Sequence, residues 1–455
     1  MEMVLEFLRD VLSQPALLIG IMSCIGLIAL KRPFHKVMTG TLKPILGYLM
    51  LAAGAGVIVN NLDPLGKMIE HGFHITGVVP NNEAIVAVAQ KVLGVETMSI
   101  LVVGLLMNLC IARFTKFKYV FLTGHHSLFM ACLMSAVLGT AGLSGMELIL
   151  VGGFLMGAWS AISPAIGQSY TSKVTEGDEI AIGHFGSLGY YLSAWVAKYV
   201  GKAEDSTEDI EIPEKWGFLR DSTLSTALTM IVFYLIAAFA AGSEFVATLS
   251  GDMSPYLYAV MSAMNFAVGV TIVYSGVRMI LGDLIPAFQG IATKIIPNAI
   301  PAVDCAVFFT YAPTAVVLGF ISSFIGGIIG MLILGAVGGV LIIPGLVPHF
   351  FCGATAGIYG NATGGRRGAA VGAFLNGLAI TFLPALALPV LGQLGFQNTT
   401  FGDADFAVMG LVLGHAFEWI GMAGIYGIVA IAALVLIIPN FIKTKGKVIN
   451  YVEEE

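Results

Sequence analysis

Residues 121–140 read FLTGHHSLFMACLMSAVLGT, a Thr-Gly-His-His quartet (Thr123 to His126) running straight into a long apolar segment. The same juxtaposition recurs at Ile182-Gly183-His184-Phe185, at Asp304-Cys305 and at Gly414-His415-Ala416-Phe417-Glu418. Ionisable groups at membrane depth are expensive, and they default to a substrate or ion pathway. The four clusters therefore point to an all-α polytopic membrane protein that moves a solute through the lipid bilayer.

Composition supports that class. Hydrophobic residues make up 57% of the 455, charged residues 11%, and the mean hydropathy is +0.90, against roughly 25% charged in an average soluble domain. The net charge of −6 is spread thinly and leaves no basic patch, so nucleic acid is not an expected partner. Cys24, Cys110, Cys132, Cys305 and Cys352 lie in or beside apolar segments without CxxC or zinc spacing, and read as small hydrophobes; no metal or cofactor is expected. Glu2, Glu6 and Asp10 precede the first apolar run and no small-residue cleavage site follows it, so that run is kept as a span.

A hydrocarbon core about 30 Å thick needs about 20 mainly apolar residues per helix. About eleven segments qualify: 15–31, 40–60, 97–114, 120–142, 146–169, 222–242, 256–278, 315–341, 345–362, 368–393 and 419–442. Lys and Arg in short loops mark the cytoplasmic side. Lys31, Arg32 and Lys36, then Arg113, Lys116 and Lys118, then Lys173, Arg278, Arg366 and Arg367, and finally Lys443, Lys445 and Lys447 fall on one side, while loops near 143–146, 243–255 and 394–406 carry none. The alternation places the N-terminus outside and the C-terminus in the cytoplasm. Lys67 and Lys91, in a long external loop, are the exception.

The acidic stretch from Lys202 to Lys215 divides the chain into a first membrane repeat (1–200), a cytoplasmic linker (201–221) and a second repeat (222–455). It reads as a solvated connector, or as a docking site for a cytoplasmic partner. Residues 54–81 and 269–298 share a Gly-rich span end, an amphipathic stretch and a closing hydrophobic-Pro-Asn. Lying on opposite sides of the membrane, they suggest an inverted repeat, the architecture of alternating-access transporters; chance similarity of two amphipathic segments is the competing reading. Residues 177–200 and 402–418 are too glycine-rich and interrupted to span, and read as re-entrant hairpins, which are tolerated at membrane depth only against protein or a cavity.

A polyhydroxylated substrate needs convergent donors and acceptors. Asp304 supplies an acceptor for hydroxyl hydrogens, and His125 and His184 donate or accept according to tautomer. His126 and Glu418 are further candidates, and a buried histidine satisfied by a carbonyl is the competing reading for each histidine. No HExxH, P-loop, GxSxG or dinucleotide fingerprint stands in a credible context, so no catalytic residue is assigned.

The pattern resembles the ascorbate-type membrane subunit, enzyme IIC, of the bacterial sugar phosphotransferase system (PTS). The resemblance rests on Phe121-Leu-Thr-Gly-His125, Ile182-Gly-His184, Ile296-Pro297, Ala302-Val-Asp-Cys-Ala306, Tyr311-Ala-Pro-Thr-Ala315, Leu341-Ile-Ile-Pro-Gly345 and the linker from Gly201 to Asp209. It implies a homodimer in the inner membrane, each protomer with a dimerisation (V-motif) domain and a core domain that shifts as a rigid elevator. It also implies cytoplasmic partners: a IIB subunit phosphorylated on cysteine, which phosphorylates the sugar on release, and a IIA subunit. The membrane subunit is then not catalytic alone. His125, His184 and Asp304 match positions expected to bind substrate, as do Phe129, Phe185, Gly54 and Ala55. At three of these the chain departs from the family: Phe129 and Phe185 stand where glutamines are expected, and Ala55 where a small polar residue is. L-Ascorbate and a related, less polar sugar or sugar acid are both left open. So is a phosphorylation-independent transporter, proton-coupled or facilitative, on the same scaffold.

Overall fold

The computed structural model describes residues 11, 14–74, 77–80, 82–210, 222–392 and 399–441. Residues 211–221 of the linker, the lysines of the C-terminal tail and the acidic residues before Val11 lie outside the described residues. The chain is a multi-pass helical protein. Among the described residues seven helices are long and apolar enough to cross a membrane, or eight if the bent pair Thr226–Ala241 and Ser243–Ser250 is one span. Of the expected segments, 345–362 and 368–393 share one helix broken at Gly364 and Gly365, 15–31 and 120–142 meet helices of only 15 and 17 residues, the latter segment beginning in a strand, and 419–442 starts at the end of one helix and continues in the next.

In chain order the first half runs α1 (Pro15–Ala29), α2 (Phe34–Gly72), β1 (Val79–Pro80), α3 (Asn82–Phe114), β2 (Tyr119–Phe121), α4 (Gly124–Thr140), α5 (Gly145–Thr175), β3 (Ala181–Ile182) and α6 (Ser187–Val200). The second half runs α7 (Ser222–Ala241), α8 (Ser243–Ser250), α9 (Pro255–Lys294), β4 (Ile300–Val303), a 3-10 turn (Cys305–Thr310), α10 (Pro313–Ala336), α11 (Leu346–Gly392), β5 (Thr399–Thr400), α12 (Ala404–Ile420) and α13 (Met422–Ile437).

The short strands are a finding that the all-α reading does not contain, and the physics of broken helices explains them. Backbone at membrane depth must find its hydrogen-bond partners within the protein. Here the breaks pair with one another. β4 lies between β2 and β3, all parallel, with Phe121 and Ala181 both opposite Ala302 and Ile182 opposite Val303. The ladder ends in Leu122 N–H to Ala302 O (2.9 Å) and Gly183 N–H to Val303 O (2.7 Å). In a second, smaller cluster β1 pairs with β5, Pro80 opposite Thr400, while Val78 bridges Ile342. In both clusters the central strand follows one of the two longest unbroken helices, and both flanking partners come from the other half of the chain.

Those two helices, α2 and α9, cross at glycines. A Cβ on Gly54 would lie 2.7 Å from the Gly269 carbonyl oxygen, and one on Gly47 would lie 2.8 Å from that of Gly276. Small residues at such crossings let helix backbones touch, which supplies packing where lipid offers no hydrophobic drive.

The described part of the acidic linker is fastened, not free. Arg366 N–H donates to Asp205 O (2.8 Å) and Thr207 N–H to Asn361 Oδ1 (2.8 Å). The Glu208 carboxylate accepts the backbone N–H groups of Thr314 and Ala315 (both 3.1 Å), capping the first turn of α10.

Candidate functional site

A cavity of about 780 Å³ opens between the α2 face carrying Tyr48, Leu51 and Ala55 and the ends of the strands. Its polar lining comes from separate breaks in the chain. β4 delivers Asp304, which caps the 3-10 turn by accepting Ala306 N–H at Oδ1 (3.0 Å). Its other oxygen, Oδ2, lies 3.3 Å from His125 Nε2. His125 stands in the first turn of α4, just past β2, and its Nδ1 is 3.2 Å from the Tyr48 hydroxyl of α2. The carboxyl, the imidazole and the phenol thus form one chain of contacts from β4 to α2.

β3 delivers His184 through Gly183, which cannot carry a Cβ because it would collide with the Ala302 carbonyl. His184 Nδ1 accepts the Gly186 N–H (3.1 Å) and lies 2.8 Å from the Tyr190 hydroxyl. His126 Nδ1 accepts the Phe185 N–H (3.3 Å), and the two imidazoles pack with centroids 3.8 Å apart. An Nδ1 that accepts a backbone N–H carries no proton in the neutral ring, so the proton belongs on Nε2 in both histidines. His126 and His184 therefore present N–H donors, and a ring nitrogen of His184 lies within 4.8 Å of an oxygen of Asp304.

Among the described residues two groups of side chains have ligand atoms within 4.8 Å of one another: His126, His184 and Asp403, and His184, Asp304 and Cys305. A metal needs imidazole lone pairs, and the tautomer set by the Phe185 and Gly186 amides withholds them at Nε2. The same arrangement suits the hydroxyl and carbonyl oxygens of a small polar organic molecule.

The remaining expected residues divide. Phe129 and Ala55 line the cavity, with Leu51, Ile343, Pro344 and Leu346 adding to its apolar wall. Phe185 has no exposed surface and stacks on Phe121 at 4.6 Å; its contribution to the site is the backbone amide that orients His126. Gly54 is buried in the α2–α9 crossing instead of facing the cavity. Glu418 pairs with His415 at 3.0 Å, mostly exposed, and neither residue lines the cavity. Sequence reading missed Tyr48, Asn82, Tyr190 and Asp403. For Asp403 the parallel is visible only once the strands are placed: Gly402-Asp403 follows β5 as Gly183-His184 follows β3.

A family model described as EIIC-GAT, the sugar-specific permease component of the PTS system, matches residues 10–405. An ascorbate-specific PTS system EIIC component of Mycoplasma pneumoniae is 28% identical over 417 residues, a match covering 78% of this chain and 62% of that protein. The match thus spans less than two thirds of that relative's length.

Proposed function

The chain belongs to the EIIC-GAT family of PTS sugar-specific permease components, and we propose that it is the membrane IIC subunit that binds L-ascorbate or a related sugar or sugar acid and carries it across the bacterial inner membrane. The observation that carries this reading is the convergence of His125, His184 and Asp304, from three breaks in the chain, on one cavity with donors and an acceptor in place. No single element brings them together.

On this reading a cytoplasmic IIB subunit, charged through IIA, transfers its phosphoryl group from cysteine to the sugar. The S–P bond breaks as an O–P bond forms on a sugar hydroxyl, which releases its proton. The membrane subunit holds and orients the acceptor, which is the part of phosphoryl transfer that a binding pocket supplies. The apolar wall at Phe129 and Ala55 sets how many hydroxyls can be satisfied, because each unmatched one loses its hydrogen bond with water.

Transport proceeds by an elevator-type shift of a core domain against a V-motif dimerisation domain in a homodimer, with the N-terminus outside, the C-terminus in the cytoplasm and eleven spans. The internal arrangement supports the inverted repeat on which such a shift rests: α2 and α9 cross through facing glycines, and the strand after each pairs with two segments of the opposite half. Two copies of one unit, inverted and exchanging strands, account for that pattern.

The test is uptake of labelled L-ascorbate, pentitols, hexoses and sugar acids into cells expressing the chain, with and without IIB. Phosphorylated product that depends on IIB is expected. Unmodified substrate that equilibrates or accumulates without IIB would instead establish the phosphorylation-independent transporter.

A further inference from the structure

Asp403 lines the cavity with 5% of its surface exposed, and the transport reading as stated makes no use of it. A carboxyl this deep is costly unless its oxygens have partners or a ligand to serve. Its Oδ2 accepts Asn82 Nδ2–H at 2.6 Å and its Oδ1 accepts the Cys352 thiol at 2.7 Å. Asn82 also accepts the Gly402 N–H (2.9 Å), so one amide clamps the acid and the backbone before it. A carboxylate offers about four acceptor positions. Among the described residues two are occupied, which leaves lone pairs on the cavity wall.

The position repeats the logic of the other half. Asn82 comes just after β1 as Asp304 comes just after β4, and Gly402-Asp403 follows β5 as Gly183-His184 follows β3. Across the first cluster an oxygen of Asp304 lies within 4.8 Å of a His184 ring nitrogen, and across the second Asn82 bonds Asp403. The site is thus built twice, once as acid beside histidine and once as amide beside acid. The cavity carries two acceptor poles: Asp304 on the His125 side, and Asp403 beside His126 and His184.

We propose that Asp403 is a second substrate-binding carboxylate, accepting a sugar hydroxyl next to the N–H donors of His126 and His184 while Asp304 accepts another on the His125 side. Asn82 and Cys352 are its positioning residues. The ligand this selects is a polyhydroxylated molecule long enough to reach both poles. The inference rests on the sugar-transport reading.

The test is equilibrium binding of labelled L-ascorbate, a pentitol, a hexitol and a hexose to the purified full chain in lipid nanodiscs. For the best-bound probe, Asp403→Asn is expected to raise Kd about ten- to a hundredfold, the cost of weakening a hydrogen bond to a charged group. Glu418→Gln, outside the cavity, should stay within about twofold of the parent. An analogue of the probe lacking the hydroxyl accepted by Asp403 should bind the parent and Asp403→Asn about equally, an equality that a merely structural role for Asp403 would not produce. If Asp403→Asn does not fold, Asp403→Glu carries the test, because the longer arm should still raise Kd at least about tenfold. A Kd within about twofold of the parent for a folded Asp403 variant would overturn the role of Asp403 alone. No saturable binding of any probe to the parent chain would contradict the sugar-transport reading beneath it.

Discussion

Asp405 has no exposed surface and accepts three hydrogen bonds, from the Trp159 indole (3.2 Å), the Ser187 hydroxyl (2.8 Å) and the Leu188 N–H (2.9 Å). Its own N–H donates to Phe185 O (2.9 Å), tying α12 to the turn that carries His184. Asp405→Ala would leave the buried Ser187 hydroxyl and the part-buried Trp159 and Leu188 N–H groups without partners, at about 1–3 kcal/mol each. The expected outcome is a loss of at least about 3 kcal/mol, read as a lower thermal unfolding midpoint in detergent, with Asp405→Asn less severe because it keeps an acceptor. An unchanged midpoint for the alanine variant would contradict this role. The contrast with Asp304 shows what a single sequence reveals at this scale. Asp304, His125 and His184 are legible because each is an ionisable group isolated in apolar surroundings. Asp403 is not, because its acid stands among other polar residues and its clamp, Asn82, lies 321 positions earlier. Glu418 satisfies the same sequence criterion as Asp304 yet pairs locally with His415 outside the cavity.

Helices were legible as apolar segments, but the strands were not. Each is two to four residues long and gains its identity from a partner such as Ala302, which lies opposite both Phe121 and Ala181. No local period encodes such a pairing, whereas the need to satisfy backbone groups at a helix break does dictate that some pairing exists. The α2–α9 crossing yields a prediction of opposite signs two residues apart. Gly54→Ala drives a Cβ to 2.7 Å from the Gly269 carbonyl oxygen, while a Cβ on Gly56 meets nothing within 4 Å. Backbone cannot move aside as a flexible side chain can, so Gly54→Ala should cost about 1–3 kcal/mol. Gly56→Ala should be neutral or stabilising by up to about 1 kcal/mol, because alanine is the better helix former. Unfolding midpoints for the pair check this, and equal midpoints would show that the crossing tolerates separation. Glu208 provides a smaller test: Glu208→Ala removes the acceptor for two N–H groups at the start of α10. A loss of about 0.5–2 kcal/mol is expected by the same measurement.

At the scale of the whole molecule, charge alternation and the paired segments 54–81 and 269–298 pointed to two related halves. What they do not contain is the exchange: each central strand takes its neighbours from the other half, so neither half completes its own sheet. The cavity inherits that sharing, with Tyr48 and His125 from the first half facing Asp304 from the second. On the proposed transport reading, a site divided in this way meets the requirement of alternating access, that motion between parts of the molecule expose the ligand to either side.

The central claim is that this cavity holds a sugar for phosphorylation by a separate cytoplasmic subunit. The most direct measurement is formation of sugar phosphate in sealed vesicles bearing the chain, supplied with labelled L-ascorbate or a pentitol on one side and phosphorylated IIB on the other. Sugar phosphate should appear on the IIB side with the parent chain, and should fall by at least about tenfold with Asp304→Asn. Equal product with the parent and Asp304→Asn, or transfer of unmodified sugar without IIB, would contradict the account.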